Sequence, residues 1–387
     1  MTPQNVTAID GLKVFALIFL CLHHIAYGFL MINHHSSVFE VGGFDFYPLF
    51  VNGWVSFEFF YGICGFYAAH YFLTNPSASY RQYALKICVL ILPVYYLVFV
   101  FSVMEWFPHF KVPFENDGFS HLYHVLMLSD VFLPSNNVML GTMAVEFKFL
   151  LLAPLIVFYV RRFKNPKQAL FLLTAVIFIL GVLARGWSFS KLQLAHDHYH
   201  MDYFMFFMYC RMAFIYVMEP MLVGILCAFL YQAVQEKTYP KPSLRQAQWL
   251  FYIGLMALII WSSSVDHYDL HTFYDALFQP WVTAVIFAMI LWGCVFDGAP
   301  KCFSGRFSSY FSKRVLGIYI IHVPLIQFSY NMAIQSALAL KLPLTEVNIV
   351  LLFFILNIAI SWIITEILYQ ILEKPCQNLL QRKKKPD

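Results

Sequence analysis

Charge is scarce in this chain. Only 12% of its residues are Asp, Glu, Lys or Arg, about half the share of a soluble domain. Hydrophobic residues make up 60%, and the mean hydropathy is +0.66. Water cannot solvate such a composition on every side, so an ordinary soluble enzyme is excluded. Residues 1–9 lack the basic start and the small-residue cleavage site of a signal peptide, so the first apolar run is expected to be retained. No CxxC pair has zinc-like spacing, and no internal repeat is visible. None of the eight cysteines falls in a predicted outer loop, so structural disulfides are not expected.

Apolar runs of about 20 residues recur along the whole length. They predict an all-α polytopic transmembrane bundle of about ten spans, at 12–32, 53–73, 85–107, 138–160, 168–187, 214–231, 248–264, 280–295, 315–335 and 347–372. Residues 1–376 then form one transmembrane domain, and 377–387 form a basic tail containing Arg382, Lys383, Lys384 and Lys385. An even number of spans puts both termini on one side. Placing them in the cytoplasm gives that side 19 of the 25 Lys and Arg residues, against Lys111, Lys191 and Lys341 outside. The positive-inside rule selects this orientation. A multi-pass protein of the plasma (inner) membrane is expected, its inner basic loops facing anionic headgroups.

Histidines are biased the other way, ten of the fourteen falling in predicted outer loops. That face is polar and roughly neutral. It suits a hydroxylated ligand and lacks the clustered basic and aromatic surface of a nucleic-acid binder. The segment His196-Asp197-His198-Tyr199-His200 has metal-ligating residue types. Nothing fixes the remaining ligands, so it is read as a solvated outer loop and no metal site is expected.

Ionisable groups at membrane depth are costly and mark function by default. His24 lies in the first span, eleven residues after Lys13. On a helix that is roughly 1100° of rotation and about 16 Å of rise, so the two share a face, with the cation at the cytoplasmic edge. His23 points elsewhere and reads as a structural neighbour. Glu146, in the fourth span, lies about 12 Å below the outer edge of a layer about 30 Å thick, close to the depth of His24. Imidazole and carboxylate at one level form a tunable acid/base pair. Glu58, Glu219, Tyr319, His322, Arg185 and Arg211 are further polar intrusions at or near spans.

These residues resemble the acyltransferase 3 family of integral membrane acyltransferases that modify surface polysaccharides and lipids. Ile9-Asp10-Gly11-Leu12-Lys13 through His24 resembles its opening motif. Gly53-Trp54-Val55-Ser56-Phe57 through Gly65-Phe66, Glu146 with Phe149 and Pro154, Leu316 through Leu325, and Glu373-Lys374-Pro375 resemble later ones. Four departures stand out: Lys13 replaces an arginine, Cys64 replaces a serine, Gly141 replaces the tryptophan before the glutamate, and the arginine pair before Pro93 is reduced to Arg81 and Lys86, set earlier in the chain.

The resemblance implies transfer of an acyl group, most often acetyl, from a cytoplasmic acyl-CoA to a hydroxyl of a glycan or lipid-linked sugar at the outer face. His24 and Glu146 would be catalytic, and Lys13, Arg81 and Lys86 would contact the donor. Glu58, Arg185, Arg211 and His322 would contact the acceptor. No permanently bound cofactor is implied. A transporter or flippase for a lipid-linked glycan or small amphiphile is the alternative for a bundle with midplane charges.

Overall fold

The computed structural model describes residues 7–33, 40–41, 44–107, 118–128, 138–199, 217–264, 273–343, 346–376 and 378. The chain is almost wholly helical. Helix α1 is Ala8–Asn33, followed by a two-residue antiparallel pair (β1 Glu40–Val41, β2 Phe44–Asp45), α2 Tyr47–Val51 and a 3₁₀ turn Asn52–Val55. Then come α3 Ser56–Thr74, α4 Tyr80–Val103, α5 Gly118–Val125, α6 Val138–Val160, α7 Pro166–Tyr199, α8 Met218–Gln235, α9 Leu244–Ser264 and α10 Phe273–Val295. A 3₁₀ turn Lys301–Ser304 precedes α11 Arg306–Ser312, α12 Val315–Ile321, α13 Ile326–Ala339 and α14 Glu346–Leu368, which ends in a π turn Tyr369–Glu373.

Among the described residues, nine helices are long and apolar enough to cross a membrane, and α12 with α13 forms a bent pair that makes a tenth if it counts as one crossing. The protein is a multi-pass membrane protein. Its outward face carries apolar side chains such as Phe171, Leu183 and Ile260, as expected where hydrocarbon replaces water. The α3 helix is the buried centre and packs most extensively on α8. Glycines permit this approach: a Cβ at Gly224 would run into the Gly62 carbonyl, and one at Gly65 into the Met221 carbonyl. Small residues at such an interface let two backbones meet without side chains between them.

Two expectations need correction. The ninth span, predicted as one run over 315–335, is broken at residues 322–325 and bends by 82°. Pro324 has no N–H and disfavours a helical conformation in the residue before it. The Ile326 amide bonds to the Val323 carbonyl, which takes it out of the i−4 ladder. The freed His322 carbonyl accepts instead from Asn357 Nδ2 of α14 at 2.9 Å. The second correction concerns the histidine-rich segment. Residues 196–199 are the end of the 34-residue α7 rather than part of a loop. His200 lies outside the described residues.

Candidate active site

The α1 helix presents its two adjacent histidines to different neighbours. His23 Nδ1 donates to the Val51 carbonyl at 2.6 Å, tying α1 to the end of α2, so His23 is the structural member. His24 is half-buried and turns toward α3 and the bend. Its ring centroid is 6.1 Å from that of Phe57 and 5.0 Å from that of His322. His24 Nδ1 and His322 Nε2 are 3.1 Å apart, and His322 Nδ1 is 3.0 Å from the Ile318 carbonyl.

This chain of contacts sets the tautomers. A carbonyl only accepts, so the proton of neutral His322 sits on Nδ1 and its Nε2 carries a lone pair. His24 then donates from Nδ1 to that lone pair, leaving its own Nε2 unprotonated. An imidazole held this way is a base with a defined orientation. The holder is the second histidine, at the break in the ninth span.

Glu146 is buried, with 7% of its surface exposed. Its Oε1 takes no hydrogen bond, and it lies within electrostatic reach of Cys64 and Tyr319. Tyr319 OH hydrogen-bonds Thr142 Oγ1, one turn before Glu146. The Tyr319 ring stands 5.9 Å from Phe57 and 5.8 Å from Phe60. Phe57 therefore touches both His24 and Tyr319, and an aromatic wall runs from the histidine pair to Tyr319, which bonds Thr142 on the helix that carries Glu146. No hydrogen bond joins His24 to Glu146 directly.

Residues 6–366 match a family described as an acyltransferase domain. The chain belongs to this acyltransferase family. The match begins before α1 and ends within α14, so it contains every group just described. Neither the curated proteins nor the solved structures include a match to the chain.

In this membrane acyltransferase the remaining candidate residues divide by what they touch. Lys13 lies on the same helix as His24, its Nζ 3.6 Å from Asp10 Oδ1 and 4.2 Å above the Tyr67 ring. Asp10 also accepts from Ser312 Oγ at 2.7 Å. Arg81 and Lys86 are exposed near the start of α4. Glu58 faces α10, where Gln279 Nε2 donates to it at 3.2 Å and Thr283 Oγ1 donates to its other oxygen. Arg185 is fully buried, donating from Nη1 to Glu219 Oε1 at 2.7 Å and from Nε and Nη2 to the Leu277 carbonyl at 3.1 and 2.9 Å. Of the three acceptor-side candidates among the described residues, Glu58, Arg185 and His322, only His322 hydrogen-bonds His24. Arg211 lies outside the described residues.

Two contributors escaped the sequence reading. Asn357 holds the carbonyl of His322 and so fixes the bend that carries it. Its signal was available, since an asparagine in an otherwise apolar span has to find a partner there. Thr142, one helical turn from Glu146, offers no comparable signal, because a threonine in a span ordinarily bonds its own backbone.

Proposed function

We propose that this acyltransferase moves an acyl group, acetyl first among the candidates, from a cytoplasmic acyl-CoA to a hydroxyl of a surface glycan or lipid-linked sugar. The observation that carries the reading is the His24–His322 contact, which leaves His24 Nε2 as an oriented, unprotonated base at membrane depth. The acceptor hydroxyl gives its proton to Nε2 as its oxygen attacks the thioester carbonyl. The C–S bond breaks, and the departing CoA sulfur recovers a proton from the imidazolium. Glu146 and Tyr319, across the aromatic wall, provide a second place for a proton near the reacting groups. The packed bundle keeps water from the thioester.

The reading places both termini in the cytoplasm of a plasma (inner) membrane protein, where the Lys- and Arg-rich loops meet the soluble donor. Lys13, Arg81 and Lys86 would then be the inward cations that meet its phosphates. A carrier mechanism calls for matched broken helices in the two halves of the bundle. Among the described residues there is one bent pair.

The test is incubation of the protein in liposomes with labelled acetyl-CoA and a glycan or lipid-linked sugar acceptor. Label is expected on an acceptor hydroxyl. Lys13→Gln is expected to raise the apparent donor KM by roughly tenfold, the loss of a charge-assisted hydrogen bond, with little change for the acceptor. Lys13→Arg restores the fork and is expected to keep donor use intact. Equal donor kinetics for wild type, Lys13→Gln and Arg81→Gln would remove this basic surface from donor binding. Absence of transfer from any acyl-CoA would overturn the reading.

A further inference from the structure

We propose that a lateral slot between α7, α8, α9 and α10 binds one anionic phospholipid, with an acyl chain in the slot and the phosphate on the two basic loops at its end. The slot encloses about 500 Å³, within the range of small-molecule sites. Its walls are apolar, formed by Phe171, Phe178, Leu226, Trp281, Val285 and Trp292 among others. Phe171 and Val285 are exposed beside it, so it opens sideways onto the membrane-facing surface. Along α7 the lining runs from Phe171 to Phe178, about 10 Å of helix.

Charge is concentrated at one end of this slot. Phe171 lies about one turn beyond Lys167, Leu230 about two turns before Lys237, and Leu250 about one and a half turns beyond Arg245. Lys167 Nζ stands 4.5 Å from the centroid of the Tyr239 ring, which brings the loops 161–167 and 236–245 together. Those two segments carry seven Lys and Arg residues against a single acid, Glu236, with Asp297 in the adjoining turn. Lys164, Lys237 and Lys241 are exposed there. A free phosphate would leave the apolar slot empty, and a zwitterionic lipid would fill it without using the charge excess. An anionic phospholipid satisfies both parts.

The experiment uses the full-length protein purified in detergent, mixed with phosphatidylglycerol or phosphatidylcholine of matched acyl chains. Retained lipid is counted by native mass spectrometry. Wild type is expected to keep one phosphatidylglycerol in roughly tenfold preference, since each juxtamembrane cation contributes appreciably to anionic-lipid binding. Ala175→Phe with Val285→Trp fills the slot, and Lys167→Gln with Lys241→Gln removes charge at its mouth. Each pair is expected to lower phosphatidylglycerol retention to the phosphatidylcholine level. Equal retention of the two lipids by wild type overturns the proposal, as does undiminished retention in either variant pair. If the slot-filling pair does not fold, the wild-type preference and the lysine pair decide it.

Discussion

Arg185 and Glu219 are buried as deeply as His322 and Glu146, yet the two sets are wired differently. In the α7–α8–α10 region, the Arg185 fork is divided between a carboxylate and a backbone carbonyl, and Glu58 nearby on α3 accepts from both Gln279 and Thr283. One oxygen of Glu219 is left over, but its charge is compensated. In the α1–α6–α12 region, Glu146 has an oxygen with no hydrogen bond, and among the described residues no ion pair reaches it. His24 keeps an unprotonated Nε2 while its Nδ1 faces His322. Burial alone therefore does not separate structural charges from chemical ones. We draw the separation from whether the neighbours satisfy the group, because an incompletely satisfied buried polar group costs stability and its retention points to a use.

Breaking the reactive side should give the largest effect. His24→Ala is expected to lower kcat by about 10²–10⁴-fold, the usual contribution of a positioned general base, while expression and thermal unfolding stay near wild type. Glu146→Ala should also lower transfer without loss of fold. Full transfer in either variant would remove that residue from the mechanism, and loss of membrane insertion would assign it to structure instead.

Breaking the paired side should act on stability. Glu219→Ala leaves the Arg185 guanidinium buried without its counter-charge and is expected to cost about 3–5 kcal/mol. The double replacement of Arg185→Met with Glu219→Leu removes both charges and should recover most of that loss. Thermal unfolding of the two variants, with transfer measured in parallel, checks whether the pair is purely structural. A double variant that is stable but inactive would place Arg185 on the acceptor side.

The smallest effect is expected outside the spans. His124, in α5, is held down to about 4 by burial and by neighbouring His121. Its folded state resists protonation relative to an ordinary histidine near 6.5. The stability contributed by keeping it neutral is present above about 6.5 and is lost as pH falls from there toward 4. Replacement by leucine should flatten the stability profile in that window, read by unfolding at stepped pH. An unchanged profile would show that His124 does not carry the dependence.

Much of this was legible in the residues themselves. Long apolar runs with few charges allow only helices that satisfy their own backbone, so the all-α class and the approximate span positions follow from composition and spacing. The shared face of Lys13 and His24 follows from helical periodicity, and an ionisable group at membrane depth stands out wherever it occurs. The partner of His24 could not be found this way. It sits about 300 positions away, at the break where Pro324 interrupts a span that hydropathy reads as continuous, and its carbonyl is held by Asn357 from yet another helix. Hydropathy averages over a window and is blind to one missing N–H. Likewise the partners that Arg185 takes from α8 and α10 are decided by packing and cannot be read from its place in the sequence. Sequence reveals which groups are too costly to bury idly, whereas the packing of distant helices decides which of them are satisfied and which are left free to react.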